Sequence, residues 1–409
     1  MRIAFLSNKD PSLPRIDSDG GAVTPRQYAK QLGRMGHSVT IYTPKISTLG
    51  ETEPYRLRKG KAQTESVVQL SENVTVRRVP LGTFSYSDIT VAGSDMARIL
   101  ESFLFSSGLS VEGLDAHDIV HFFHPLAAFG AVETRAVDMS KAVLSPMLLG
   151  TYYLRYQELP EYYLNFEKLL IGKFQHLYAV SNDEKNQLVV AYGADAGLVQ
   201  VTPRGIDTKM FRPKLRSGRK RKDRLVIVCP NAIRPQKAQD SLIQMAHALR
   251  RTATDFVVLL AGENRFFYKE DHHKYYENLC RLIDIYDLQN HVKFYGAMSQ
   301  QKMADLIRSS DIAIVPSHAE SFGKSVLECI SCGTPTIVFD DVRAYDDYIV
   351  PSQNALMVRR DPEDLKNAVL ELVQNVDLYA RLSGSAIEIH EKFSWERVTH
   401  LLLDAYKVR

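Results

Sequence analysis

The sequence predicts an α/β protein built from two Rossmann-like, doubly wound domains in series. Short apolar runs rich in β-branched residues alternate with longer amphipathic stretches, which is typical of buried parallel strands separated by helices. This alternation begins at the amino terminus and starts again near residue 225. A chain of 409 residues also exceeds the size at which a single core stops growing, so two domains are expected.

The first domain opens with a strand, a glycine turn, a helix and a second strand, which together form a βαβ unit. We expect the strands over 2–7 and 38–43, and the helix over about 25–35, after the Gly20-Gly21 pair. Further strands are expected over 118–122 and 177–180. Residues 44–75 are polar and irregular, and we expect them to form an insertion over the ligand face of this domain.

The second domain repeats the pattern, with strands expected over 225–229, 256–261, 292–295, 312–315 and 336–339. We therefore divide the chain into domains at 1–211 and 225–394, joined by the basic segment 212–224. This segment contains eight Lys or Arg residues. A solvated linker is the favoured interpretation, because runs of charge are usually solvated. The alternative is a patch that contacts an anionic lipid or an acceptor, with peripheral membrane contact.

Composition excludes several classes of protein. The net charge of +3 gives no reason to expect a nucleic acid partner, and four cysteines cannot form a disulfide framework. No apolar run approaches the length of a transmembrane helix, and the amino terminus lacks the features of a signal peptide. The sequence therefore indicates a soluble, cytoplasmic protein.

The most informative segment is 311–339, where a strand, a loop and a helix follow one another. The loop covers 316–322, and the helix covers 323–332 and is ended by Gly333. Open α/β sheets bind ligands beyond the carboxyl ends of their strands, so the amino end of this helix points into the ligand edge and suits a phosphate. Glu320 and Glu328 lie on either side of that end, and a carboxylate can accept hydrogen bonds from two sugar hydroxyls.

Positive charge comes from the loop that follows the first strand of the second domain. Arg234 can bind a phosphate in bidentate fashion, and Lys237 adds a point charge. Together with Glu320, Glu328 and the helix end, these residues predict a binding site for a nucleotide diphosphate that carries a sugar. The alternative for the two glutamates is a pair of exposed acids on a surface helix.

These motifs resemble a known family of enzymes. Glu320 and Glu328 form the Glu-x7-Glu spacing of retaining glycosyltransferases with the GT-B fold, and the surrounding PSHAESFGKSVLECISCGTP resembles glycosyltransferase family 4. The resemblance covers nearly the whole chain. It implies two domains that face each other across a cleft, with a final helix at about 395–409 that crosses back onto the first domain.

The resemblance also implies an activity and roles for single residues. The enzyme would move a hexose-type sugar from a nucleotide diphosphate, with a UDP-sugar favoured, and would need no metal and no other cofactor. Donor contacts would come from backbone or carboxylate groups of Gly20, Gly21, Glu320, Phe322, Gly323, Lys324 and Glu328. Gly21 would approach the diphosphate, which Arg234 and Lys237 would neutralise. Glu320 would hold the sugar and Glu328 the ribose.

One family feature is displaced. Family members often carry a His-x-His after the acceptor-domain strand, whereas this chain has His121-Phe122-Phe123-His124. The second family histidine aligns with Phe123, so its catalytic role falls either to His124 or to no residue. Arg204 stands where the family commonly has an asparagine. The base of the donor, the acceptor and the oligomeric state stay open.

Two other functions remain as alternatives. A nucleotide-sugar epimerase on the same fold would use His124 and Glu320 as an acid–base pair. A non-catalytic nucleotide-sugar-binding module would retain the fold alone. Cys329 and Cys332 form a C-x-x-C, but both fall on a predicted buried helix, so we expect small core residues and not a metal or redox site. The favoured interpretation of the tyrosines of 152–163 is core packing, and the alternative is that they line the acceptor site.

Overall fold

The computed structural model describes residues 1–8, 20–45, 65–80, 102–111, 113–156, 159, 161–213, 224–263 and 270–408. These residues form two compact units. Unit 1 holds the described residues up to Arg204 together with those from Trp395 onward, and unit 2 holds those from Gly205 to Ser394. The sequence placed the end of the first domain at 211. The chain passes from unit 1 to unit 2 earlier than this, after Arg204. The reason is that Ile206 donates its backbone N–H to Phe393 O at 2.7 Å within unit 2.

Unit 1 is built on an eight-stranded sheet. Its strands are β1 (Arg2–Ser7), β2 (Ser38–Lys45), β3 (Val67–Ser71), β4 (Val74–Pro80), β5 (Ile119–Phe123), β6 (Ala142–Ser145), β7 (Leu177–Ala179) and β8 (Val199–Val201). Their order is β3-β4-β2-β1-β5-β6-β7-β8, and all neighbours are parallel except the antiparallel pair β3 and β4. The order reverses direction between β1 and β5, which creates a switch point at the carboxyl ends of these strands.

Unit 2 is built on a six-stranded parallel sheet. Its strands are β9 (Leu225–Cys229), β10 (Phe256–Leu260), β11 (Val292–Phe294), β12 (Ile312–Val315), β13 (Thr336–Phe339) and β14 (Leu356–Val358). Their order is β11-β10-β9-β12-β13-β14, which is the classical dinucleotide-binding order counted from β9. The order reverses between β9 and β12, so the loops that follow these two strands meet at the switch point.

Helices connect the strands and cover the sheets. They are α1 (Gly20–Arg34), α2 (Phe129–Glu133), α3 (Gly150–Tyr153), α4 (Glu161–Ile171), α5 (Asn182–Val190), α6 (Gln239–Arg250), α7 (Glu270–Ile285), α8 (Gln300–Ser309), α9 (Lys324–Ser331), α10 (Pro362–Gln374), α11 (Val376–Gly384), α12 (Ala386–Phe393) and α13 (Trp395–Lys407). Because helices lie on both faces, the central strands are apolar throughout, and all four residues of β12 are buried. None of the helices within the described ranges is long and apolar enough to cross a membrane.

The C-terminal helix α13 packs within unit 1. Its first residue, Trp395, makes an edge-to-face contact with Tyr28 of α1, with ring centroids 5.4 Å apart. Near its end, the Tyr406 hydroxyl lies 2.7 Å from His121 Nδ1 on β5. The last helix of the chain therefore completes the core of the unit that contains the amino terminus.

Two sequence expectations need correction. Residues 44–75 were expected to be an irregular insertion, yet Val67–Ser71 forms β3, which pairs with β4 (Val74–Pro80) in a hairpin at the edge of the first sheet. Every second residue of β3 is exposed, which is why its sequence lacks the apolar run of a buried strand. Helix α1 begins at Gly20, five residues before the sequence placed it. Residues 46–64 of the expected insertion and 214–223 of the basic segment lie outside the described residues.

Candidate functional site

The switch point of unit 2 brings two loops together. Residues 230–237 follow β9 and residues 316–323 follow β12. Gln236 joins them, because its side-chain amide donates to Ala319 O at 2.8 Å and its carbonyl accepts from the His318 N–H at 2.8 Å. The two loops that the sequence singled out, more than eighty residues apart, therefore form one continuous edge.

Lys237 and Glu320 form an ion pair at this edge. Lys237 Nζ lies 2.5 Å from Glu320 Oε1, and the same carboxylate oxygen accepts a hydrogen bond from Ser317 Oγ at 2.7 Å. Only 16% of the lysine side chain and 11% of the glutamate side chain are exposed. In such a sheltered place, loss of either partner would leave the other charge unpaired and poorly solvated. The sequence placed these two residues in one site, and the structure brings them into contact.

Arg234 lies one turn earlier in the loop after β9. It precedes a short 3-10 helix over Pro235–Lys237 and has an extended backbone. Its Nε atom is buried and has no hydrogen-bond partner among the described residues. An unsatisfied buried donor costs about 1–3 kcal/mol, which a bound anion would relieve. The position and the unused donor both fit the phosphate role that the sequence suggested.

Helix α9 begins beside the Lys237–Glu320 pair. Gly323 caps it with φ of 81°, a conformation that side chains rarely adopt, and no side chain caps the first turn. The buried Tyr348 hydroxyl donates to Phe322 O at 2.9 Å and to Gly323 O at 3.1 Å. Burial raises the pKa of Tyr348 well above its usual value, so the hydroxyl keeps its proton. The first turn of α9 is thus held in a fixed orientation, as an anion site requires.

Glu328 pairs with Lys324 one turn along α9. Lys324 Nζ lies 2.8 Å from Glu328 Oε1, and 13% and 5% of these side chains are exposed. The sequence assigned Lys324 a role through its backbone and missed this contact. The i,i+4 spacing of a lysine and a glutamate on one helix was the available signal. Both candidate carboxylates are therefore paired with a lysine ammonium.

His124 directly follows β5 at the switch point of unit 1. Its φ of 93° is unusual for a residue with a side chain, and its Nδ1 accepts the Leu126 backbone N–H at 3.2 Å. His121 differs, because it is fully buried between Tyr406 and Ser145, and burial lowers its pKa to about 3. His121 is therefore a neutral core residue, whereas His124 stands at the ligand edge of its sheet.

The remaining predicted positions divide into two groups. Gly20 and Gly21 are the first two residues of α1, so their backbone N–H groups belong to a helix amino end. Cys329 and Cys332 are buried free thiols, and burial raises the pKa of Cys332 to about 12, which matches the expected small core residues. Among the described residues, no group of three His, Cys, Asp or Glu side chains could hold a metal ion.

Sequence reasoning missed a buried acid beneath the loop that follows β6. Glu167 on α4 is 2% exposed, and its Oε2 accepts the Gly150 N–H at 2.8 Å and the hydroxyl of Tyr192. Gly150 leaves no room for a side chain, since a Cβ there would lie 2.7 Å from Leu164 Cδ2. Glu167 thus anchors the start of α3 at the carboxyl edge of the unit 1 sheet. A lone glutamate in a helix gives no sequence signal for such a role.

Burial raises the pKa of Glu167 from 4.5 to about 7, which predicts a pH-dependent stability. Between these values the folded protein binds a proton that the unfolded chain has released, so the free energy of unfolding falls as pH rises. Each pKa unit is worth about 1.4 kcal/mol, so from pH 4.5 to 8 the parent should lose roughly 3 kcal/mol relative to Glu167→Gln. Denaturant unfolding across this range measures the difference. Glu161→Gln, at an exposed position of α4, is the control, and parallel curves for all three proteins would contradict the prediction.

Comparison with known families assigns both halves of the chain. Residues 18–210 match the model described as Glycosyltransferase Family 4, and residues 211–388 match the model described as Glycosyl transferases group 1. A curated relative, the D-inositol 3-phosphate glycosyltransferase of Stackebrandtia nassauensis, is 26% identical over 99% of this chain and 91% of its own length.

Solved structures share the fold over the full chain. Sucrose-phosphate synthase from Thermosynechococcus elongatus superposes with a TM-score of 0.79 at 18% identity, covering 100% of this chain and 98% of that one. HepE from Anabaena, solved in complex with UDP and glucose, superposes with a TM-score of 0.71 at 14% identity and full coverage of both chains. At these identities the likeness establishes the fold and leaves the substrates to be argued from the residues.

Proposed function

The chain belongs to the glycosyltransferases of family 4 that have the GT-B fold, and from this premise we propose a specific reaction. The enzyme transfers a hexose-type sugar from a nucleotide diphosphate to a hydroxyl acceptor, with retention of the anomeric configuration. The convergence of Arg234, Lys237, Glu320 and the start of α9 at one strand-end edge supports this proposal most strongly. Cations beside a helix amino end bind a diphosphate, and a neighbouring carboxylate binds sugar hydroxyls.

In this proposal, different residues bind the leaving group and the sugar. The bond from the anomeric carbon to the phosphate oxygen breaks, and negative charge accumulates on the departing diphosphate. Arg234, Lys237 and the N–H groups at the start of α9 stabilise that charge without reorganising. Glu320 holds sugar hydroxyls, Glu328 holds the ribose, and the backbone at 322–324 lines the sugar and the phosphates. Because protein groups supply the positive charge, the proposed reaction needs no divalent cation and no cofactor.

The acceptor approaches from the face that the diphosphate leaves. Its oxygen forms the new bond to the anomeric carbon, and its proton passes to an oxygen of the departing phosphate. The role proposed for His124, which follows β5 at the carboxyl edge of the unit 1 sheet, is contact with the acceptor.

UDP is the favoured nucleotide, in keeping with the UDP bound by the solved structure of HepE. The acceptor is a hydroxyl compound of open identity. D-inositol 3-phosphate is one candidate to test, because several curated relatives are named for it. For the basic segment 212–224 the solvated linker stays the favoured interpretation, and an assay with anionic vesicles tests the alternative of membrane contact.

A screen of nucleotide sugars tests the proposal directly. Ligand binding raises the melting temperature by mass action, so a thermal-shift screen of UDP-, GDP- and ADP-sugars should single out one donor. Product analysis by proton NMR with an acceptor panel should then show an unchanged anomeric configuration. An inverted linkage would contradict retention. An epimerised donor formed without acceptor would favour the epimerase, and failure to bind any nucleotide diphosphate would favour a non-catalytic module.

A further inference from the structure

Resting on the proposed function, we propose that Arg360 is a positioning residue for the donor sugar. Arg360 is the second residue after β14, the strand two places from β12 in the sheet. Its guanidinium holds the loop over 316–320, and through that loop it sets the orientation of the Glu320 carboxylate. Nothing in the sequence motif around Glu320 and Glu328 points to this residue, which lies 40 positions beyond Glu320 in the chain.

The Arg360 guanidinium contacts a carboxylate, two backbone carbonyls and an aromatic ring. Nε and Nη2 bind the two carboxylate oxygens of Asp341 at 2.8 and 2.6 Å, which is a bidentate pair. Nη2 also donates to Ser317 O at 3.0 Å, and Nη1 donates to Pro316 O at 3.3 Å. The planar group lies over the Phe339 ring, with Cζ 4.4 Å from its centroid.

These contacts tie together three neighbouring strand ends. Pro316 and Ser317 follow β12, Phe339 and Asp341 lie at the end of β13, and Arg360 follows β14. A lysine could not reproduce the arrangement, because its ammonium lacks the planar fork that binds Asp341 and the two carbonyls together. The guanidinium therefore fixes the position of the first two residues of the loop relative to the rest of the sheet.

The loop passes this constraint to Glu320. Arg360 binds the carbonyl of Ser317, and the Ser317 hydroxyl donates to Glu320 Oε1 at 2.7 Å. The next N–H, that of His318, donates to Gln236 O at 2.8 Å. Arg360 and Gln236 thus hold the loop from opposite sides, with Glu320 immediately after the held segment.

The neighbouring Arg359 provides a matched control. It has the same charge and also binds a carboxylate, with Nε 2.7 Å from Asp364 Oδ2, but 80% of its side chain is exposed, against 25% for Arg360. Among the described residues, the side-chain hydrogen bonds of Arg359 go to Asp364 on α10 and none reaches the loop over 316–320. A general effect of removing an arginine from this segment would appear in both Arg359→Ala and Arg360→Ala, whereas an effect on the position of the loop would appear only in Arg360→Ala.

The experiment compares Arg360→Ala, Arg360→Lys and Arg359→Ala by hydrogen exchange and by kinetics. We expect Arg360→Ala to speed exchange in peptides over 316–320 by about tenfold or more, because each 1.4 kcal/mol of lost local stability is a factor of ten. Arg359→Ala should leave these peptides unchanged. In sugar transfer, misplacement of the carboxylate should lower kcat by about 100-fold. Affinity for UDP alone should change by less than about twofold, because Glu320 contacts the sugar in the proposal.

Arg360→Lys keeps the charge and most of the side chain, so it carries the test if the alanine variant fails to fold. Equal exchange over 316–320 in the parent and both Arg360 variants would overturn the inference. So would Arg360 variants that have the parental kcat and an altered melting temperature. The exchange measurement needs no substrate. Failure of the parent to bind any nucleotide diphosphate would instead contradict the proposed function, and the two failures are therefore distinguishable.

Discussion

Replacing Lys237 with alanine is expected to lower kcat/KM by about 1,000-fold or more. Loss of one preorganised electrostatic group at a developing charge costs ~100- to 1,000-fold in rate. Here a second effect adds to it, because Glu320 loses the ammonium that lies 2.5 Å from its carboxylate in a sheltered site. Removing one partner of a buried pair leaves the other charge uncompensated. Steady-state kinetics of sugar transfer measures the combined loss.

Lys366→Ala is the matched control for this change. Lys366 has a similarly sheltered side chain, 19% exposed, and is paired with Glu363 on the same helix, α10. We expect its kcat/KM to match that of the parent. A Lys237→Ala enzyme with parental kinetics would show that the ammonium stabilises no charge in the transition state, and the assignment of the diphosphate to this edge would be wrong.

Replacing Gly323 with alanine is expected to weaken donor binding and to destabilise unit 2. A Cβ at this position would lie 2.4 Å from Tyr345 Cε1 and 2.7 Å from the Tyr348 hydroxyl, the group that holds the start of α9. The positive φ adds a backbone cost of about 1–2 kcal/mol, and forced repacking adds about 1–3 kcal/mol. Because the displaced tyrosines orient the first turn of α9, UDP affinity should fall by at least about tenfold, which corresponds to ~1.4 kcal/mol.

Gly36→Ala separates the backbone cost of a positive φ from the cost of repacking neighbouring side chains. Gly36 has a φ of 83°, close to the 81° of Gly323, but nothing lies within 4 Å of a Cβ placed there. This variant should lose about 1–2 kcal/mol of stability through the backbone alone and should bind UDP as the parent does. Equal UDP affinity in the parent and Gly323→Ala, measured by calorimetry, would contradict the role given to the start of α9.

The central strands could be predicted from the sequence residue by residue. β1, β9, β12 and β13 have the bounds that the apolar runs indicate, because strands covered on both faces must be apolar throughout. The strands at the edges of the two sheets could not be predicted in this way. β3 alternates exposed and half-buried residues, and β14 has only three residues, so neither produces an apolar run that stands out.

The pairing of Lys237 with Glu320 follows from a rule that the sequence can use. Both residues stand in loops after strands, and such loops gather at one edge of a parallel sheet. Contacts made by single side chains across the fold follow no such rule. The contacts of Arg360 and Glu167 depend on which strands are neighbours and on how deeply each helix is buried, and neither quantity can be read from spacing alone.

A crystal structure of the protein with bound UDP tests the central claim most directly. The account predicts diphosphate oxygens within about 3 Å of the side chains of Arg234 and Lys237 and of the first backbone N–H groups of α9, with ribose hydroxyls at Glu328. UDP bound at any other place, with the Lys237–Glu320 pair and the start of α9 left untouched, would contradict it.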